Sequence, residues 1–119
     1  MDEITINGEV YIKKSDAVVM ATDDSGLEYV IIRTFSAGVH AGYLTVRNGK
    51  EVVLENARRL WYWDGAFTLS EIAAKGVKKP ENCKFSCCVP QITLTEAIEI
   101  IPCTEAGKAS IEGVVDFEC

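Results

Sequence analysis

The dipeptide Asn48-Gly49 constrains this chain more than any other pair of residues. Both residues tolerate a positive φ. A two-residue type I′ turn needs that, and its twist matches the right-handed twist of paired strands. The flanking segments suit such a turn, because residues 43–47 and 51–54 both read as strand. More strand material stands upstream. Val10-Tyr11-Ile12, Ala17-Val18-Val19-Met20 and residues 28–35 (EYVIIRTF) are rich in β-branched and aromatic side chains. Asp23-Asp24-Ser25-Gly26 supplies a turn between them. Strands joined by turns this short run antiparallel.

Helical signals come later and are short. Thr68-Leu69-Ser70-Glu71 fits a capping box, with Thr68 as N-cap and Glu71 reaching back. Leu69, Ile72 and Ala73 then make one apolar face, and Gly76 closes the helix. Residues 80–82 read as a loop. Residues 85–89 and 92–101 read as extended. In the second of these the apolar positions do not alternate strictly, which predicts a bulge or mixed burial. Thr104-Glu105 opens a last helix that runs to about Glu112. Residues 114–117 read as a final short strand. Residues 57–63 (ARRLWYW) fit either an aromatic strand or a helical turn. The expected fold is α+β, a mostly antiparallel β-sheet with two short α-helices, in a single domain over residues 1–119.

Composition narrows what such a domain can do. The chain has 119 residues, 48% hydrophobic and 25% charged, so it can build one core with little volume left for a deep pocket. A ligand site is expected in a groove or at a subunit interface. The net charge of −6 disfavours DNA or an anionic membrane as partner, because binding to either needs concentrated Lys and Arg. A local Arg cluster can still hold one small anion. No apolar run approaches the roughly 20 residues of a membrane span, and the N-terminus lacks a basic and apolar leader pattern. The five cysteines, Cys83, Cys87, Cys88, Cys103 and Cys119, are odd in number and are expected as reduced thiols. A zinc site would need a second ligand pair that Cys103 and the lone His40 do not supply, so no metal and no cofactor are expected.

Three segments could carry chemistry. Ser36-Ala37-Gly38-Val39-His40-Ala41-Gly42 joins two strands and is rich in small residues. Its backbone N–H groups suit an anion or a base edge, and Arg33 and Arg47 flank it. A plain hairpin loop that needs glycine for its backbone angles is the more common explanation of such a segment. Arg58-Arg59-Leu60-Trp61-Tyr62-Trp63 holds both tryptophans. If extended, Arg59, Trp61 and Trp63 share one face, and Arg58, Leu60 and Tyr62 the other. Aromatic faces stack on bases and guanidinium groups pair with phosphate, although large aromatics in a small domain are most often core. The third segment, Cys103-Thr104-Glu105, starts a helix, which is an anion site in principle and an ordinary cap in most proteins. A single histidine with no partner nucleophile makes no triad, so no catalytic residue is assigned and the chain is read as a non-enzyme.

The strings VIIRTFSAGVHAG (residues 30–42), NGKEV (48–52), ARRLWYWDGA (57–66) and IEIIPCTE (98–105) resemble a small-protein family of tailed phages with no known function. The likeness spans residues 28–117, and RR-x-WYW-x-GA is its most specific part. The resemblance extends to the Thoeris anti-defence proteins of the first type. Those are oligomeric phage proteins that sequester cyclic ADP-ribose isomers and, in some members, cyclic oligonucleotides. This likeness implies a phage anti-defence protein in the cytoplasm of the infected host, a homo-oligomer with shared pockets that binds a cyclic nucleotide without cleaving it. A phage structural or protein-interaction module is the alternative. The resemblance gives no residue-by-residue assignment. The candidate ligand-binding set therefore comes from local chemistry inside the matching strings: Arg33, Ser36, Ala37, Gly38, Val39, His40, Arg58, Arg59, Trp61, Trp63 and Thr104.

Overall fold

The computed structural model describes residues 19–117. Six strands, β1 (Tyr29–Thr34), β2 (Val39–Asn48), β3 (Glu51–Tyr62), β4 (Lys84–Phe85), β5 (Val89–Leu94) and β6 (Ala97–Pro102), form one antiparallel sheet. The helices α1 (Leu69–Lys75) and α2 (Glu105–Gly113) complete the α+β arrangement. The expected strands at 10–12 and at 17–18 lie outside the described residues. Met20 makes only an isolated bridge, to Thr104.

The β2–β3 hairpin forms where Asn48-Gly49 predicts it, one residue out of step. Asn48 pairs with Glu51, so Gly49 and Lys50 are the central turn residues. Only Gly49 has a positive φ, 63°. A positive φ at the first central residue alone is the type II′ pattern, not the I′ pattern expected from the dipeptide.

Farther along the hairpin the register shifts. Ala41 pairs with Arg58 and Tyr43 with Glu55, so Gly42 alone faces both Asn56 and Ala57. Asn56 takes the left-handed conformation, with φ 51°, that Asn tolerates better than most residues. Gly42 is needed opposite, since a Cβ there would lie 3.0 Å from both Ala57 Cα and Glu55 O. A bulge of this kind bends the strand and increases its twist. Strand β3 changes partner across it. Residues 52–57 pair with β5, whereas Leu60 and Tyr62 pair with β4.

The sheet must also curl. Its order runs β5-β3-β2-β1-β6, yet β5 and β6 are joined only by Thr95 and Glu96. Hydrogen bonds from Ala97 N to Lys50 O and from Phe35 N to Glu96 O, both 3.0 Å, fasten that corner. The extended run expected over residues 92–101 is therefore two strands and a tight turn. Curling buries both faces of β1. Val30 and Ile32 pack with Val52, Leu54, Leu94 and Ala97 inside the curl. Tyr29 and Ile31 pack with Ile72, Phe85 and Ile111 under the helices. That explains the unbroken apolar run of β1.

Both helices begin as their sequences indicate. Thr68 Oγ1 accepts from Glu71 N at 3.1 Å, and Glu71 Oε1 accepts from Phe67 N at 2.9 Å, one residue before the usual capping-box partner. Gly76, with φ 84°, ends α1. Thr104 Oγ1 accepts from Gly107 N at 3.0 Å and donates to Ala74 O at 2.7 Å, so the α2 cap also ties down the end of α1. Residues 80–82 form a 3-10 turn, and residues 114–117 give one bridge, Phe85 to Asp116, in place of the expected strand.

The two helices touch through Gly107, where a Cβ would lie 2.0 Å from Ala73 O. Gly107→Ala is expected to destabilise the fold by about 3 kcal/mol, the upper end of ordinary overpacking. Urea denaturation of the variant beside the parent measures it.

Candidate functional site

The segment expected as a loop over residues 36–42 is shorter than that. Strand β2 begins at Val39, so only residues 35–38 connect β1 and β2. Thr34 organises the connection: its Oγ1 accepts from Ala37 N at 2.8 Å and donates to Gly38 O at 2.7 Å. Gly38 has φ 85°. His40 is thereby a strand residue, paired with Ile32 on one side and Arg59 on the other, and it is 1% exposed.

His40 and Arg59 form the polar centre of the region. Arg59 Nε donates to His40 Nε2 at 3.3 Å. An imidazole that accepts on Nε2 carries its proton on Nδ1. Burial, and then the Arg59 charge, push the His40 pKa down to about 4, so the ring is neutral at pH 7. Among the described residues, Nδ1 has no hydrogen-bond partner. The Arg59 backbone N–H is held by Ser86 Oγ at 2.8 Å, yet no carboxylate among the described residues pairs with its exposed guanidinium.

Arg59 forms part of the wall of two hollows. One, of about 260 Å³, has Ala57, Val89 and Ile92 as its apolar lining, with His40 and Ser86 beside them. It lies where β3 leaves β5 and takes up β4. The other, of about 460 Å³, is lined by the connection Ser36-Ala37-Gly38-Val39 and by Leu60, Trp61 and Trp63. Seven residues singled out from the sequence, Ser36, Ala37, Gly38, Val39, Arg59, Trp61 and Trp63, thus share one hollow. The two tryptophans differ: Trp61 is 63% exposed, while Trp63 packs against the core beneath the helices.

Three other candidates lie elsewhere or are occupied. Arg58 is 2% exposed. Its Nε donates to Ser86 O at 2.8 Å, one terminal nitrogen to Ile111 O and Val114 O, and the other to Phe85 O and Asp116 Oδ1. Every edge of that guanidinium is used inside the fold, so Arg58, which also lines the first hollow beside Arg59, is a structural tie between β3, β4 and the end of α2. Arg33 pairs with Glu99 at 2.8 Å and lines neither hollow. Thr104 caps α2 away from both. Ser86, Val89 and Ile92 line the first hollow without having been singled out. Only the partner exchange of β3 brings them there, and no local pattern marks it.

The cysteines need one correction. Cys83, Cys88 and Cys103 are free thiols, as expected, whereas Cys87 is disulfide-bonded. Burial pushes the Cys103 thiol up to about 12, which suits a core residue and not a nucleophile. Among the described residues no three His, Cys, Asp or Glu side chains cluster as metal ligands, and no helix is long and apolar enough to cross a membrane.

Residues 27–111 match the family described as a domain of unknown function (DUF6948), and the chain belongs to that family. No curated protein matches the chain, and no solved structure does.

The two adjacent arginines should respond differently to truncation. Arg58→Met removes the hydrogen bonds to Ser86 O, Ile111 O, Val114 O, Phe85 O and Asp116 Oδ1 together and is expected to cost about 3–5 kcal/mol. Arg59→Met is expected to stay within about 1 kcal/mol of the parent. Thermal denaturation of both variants checks this. His40 adds a pH dependence. Its pKa falls from an ordinary 6.5 to about 4 on folding, so the unfolded chain takes up the proton first as pH drops. Its contribution is complete above pH 6.5 and is lost on acidification toward pH 4, by an amount on the order of 3 kcal/mol. His40→Gln should flatten the stability profile in that window, as measured by denaturation at pH 7.5, 5.5 and 4.5.

Proposed function

We propose that this member of the DUF6948 family is a non-enzymatic binder of a small, phosphate-bearing nucleotide. Its ligand is a cyclic nucleotide immune signal, a cyclic ADP-ribose isomer or a cyclic oligonucleotide, which a phage protein would sequester in the host cytoplasm. One observation carries the reading: the exposed Arg59 guanidinium, without a carboxylate partner among the described residues, stands in the wall shared by two hollows. A guanidinium in that setting suits phosphate oxygens. Trp61 offers an exposed ring for stacking on a base, and the residues 36–38 connection has little side-chain bulk to hinder approach. Binding without turnover is consistent with a neutral, buried His40 and a high-pKa Cys103, neither of which suits a general base or nucleophile. Sequestration works by mass action, so affinity is all it requires. Both hollows are open, and Phe35 at the connection is largely exposed, which suits a homo-oligomer whose subunits share each pocket.

A second reading, a protein-interaction module, draws on Phe67, whose ring is 96% exposed beside α1. Docking of another chain on that ring would remove its apolar surface from water.

Calorimetry against cyclic ADP-ribose isomers and cyclic di- and trinucleotides tests the first reading. Binding is expected, with the ligand recovered intact after denaturation. Arg59→Ala should weaken it by about 10- to 100-fold, the loss of one charge-assisted pair. No heat at micromolar protein with any of these ligands would sink the proposal, and recovery of a converted product would make the protein an enzyme.

A further inference from the structure

The last residues of β3, just beyond Arg59, carry a different chemistry. The strand's pairing with β4 shifts register between Leu60 and Tyr62, so Trp61 and Tyr62 do not simply alternate across the sheet. Both rings come near Lys84, the residue opposite Tyr62. The Lys84 ammonium lies 5.7 Å from the centre of the Trp61 ring, 5.9 Å from Tyr62 and 5.1 Å from Phe117. Trp61 and Phe117 also touch, with ring centres 5.4 Å apart. Three aromatic rings thus converge on one cation.

Aromatic faces attract cations through the negative centre of the ring, and clusters of them recognise alkylated ammonium groups. Lys84 shows that these rings accept an ammonium, but its neighbourhood exceeds what one lysine fills. A hollow of about 490 Å³ opens here, lined by Tyr62, Phe117 and Lys84 together with Asp64 and Glu81. A second, of about 510 Å³, adjoins it and shares Glu81 and Phe117. Asp64 is engaged by Asn82 at 3.1 Å, whereas Glu81 has no ion-pair partner among the described residues. Carboxylates beside aromatic faces select positive over neutral guests, and a net charge of −6 draws cations toward the molecule.

We propose that the Trp61–Tyr62–Phe117 face with Asp64 and Glu81 is a binding site for an alkylated organic ammonium, and that Lys84 is its tethered occupant. An incoming quaternary ammonium displaces the Lys84 side chain, which swings into solvent at little cost because it is exposed and strongly hydrated. A quaternary group has the advantage on these rings, since it gives up less hydration than a primary ammonium. This site is independent of the Arg59 hollows, apart from the shared Trp61.

Titration with tetramethylammonium chloride at constant ionic strength, followed by tryptophan fluorescence and calorimetry, tests the proposal. Saturable binding is expected, and 3,3-dimethylbutanol, the neutral isostere of choline, should not bind. Lys84→Gln and Lys84→Ala should each tighten tetramethylammonium binding about three- to tenfold by removing the competitor. Tyr62→Ala combined with Phe117→Ala should abolish it, with circular dichroism confirming the fold. Choline and a trimethyl-lysine peptide then distinguish a small-molecule source from a protein tail, and tighter binding of either supports the site. Equal binding of the neutral isostere, or no gain in either Lys84 variant, would overturn it.

Discussion

The bulge at Gly42, Asn56 and Ala57 is the constraint on which the rest of the structure depends. A straight β3 of 12 residues would pair with one neighbour along each edge. The bend lets its two halves pair with different strands, β5 first and β4 second. The curl that closes β5 and β6 over Val30 and Ile32 requires the first pairing. The helical side, with Phe85 beneath α2, requires the second. Asn56 tolerates the left-handed conformation of the bulge, and Gly42 leaves room for the backbone opposite. Neither residue lines a hollow itself, yet both shape the strand whose Ala57 and Arg59 do.

Adjacent arginines on one strand illustrate how a pleat assigns roles. Arg58 and Arg59 have the same chemistry and neighbouring positions. Arg58 points to the helical side, where the carbonyls of Phe85, Ile111 and Val114 converge on it, and it becomes a structural tie. Arg59 points into the curl, where only His40 meets it, and most of its guanidinium stays accessible. A buried charge is tolerated only when it is fully hydrogen-bonded, so Arg58 can serve the fold or a ligand but not both. Arg59, at the edge of the same layer, is under no such demand. The neutral His40 then acts as a spacer that accepts one N–H and sets the direction of the guanidinium.

Two neighbouring stretches of β3 consequently differ in what they attract. Arg59 presents a cation to open hollows, which suits phosphate. The C-terminal end of the strand presents aromatic faces and carboxylates around Lys84, which suits a cation. Both sites are shallow, as expected of a domain that spends its apolar residues on two small clusters. Trp61 is common to both, bordering the Arg59 hollow and lying beside Lys84.

Much of this architecture is legible in the residues themselves. The α+β class, the hairpin near Asn48-Gly49, the threonine caps at 68 and 104 and the glycine stop at 76 all follow from local backbone chemistry, which needs no tertiary information. So does the clustering of chemistry in residues 36–40 and 58–63, because loop composition and an Arg-aromatic run are local patterns. Other features belong to the tertiary structure alone. The pleat cannot say which face of β3 meets the helices, so Arg58 and Arg59 are interchangeable until the sheet is assembled. The length of the 36–42 loop depends on how far β2 extends along β1. Ser86, Val89 and Ile92 reach the Arg59 hollow, and Phe117 reaches Lys84, only through contacts between segments distant in sequence. Local propensity decides where the chain bends and caps. Long-range pairing decides which side chains are left facing solvent with charge or aromatic surface to offer.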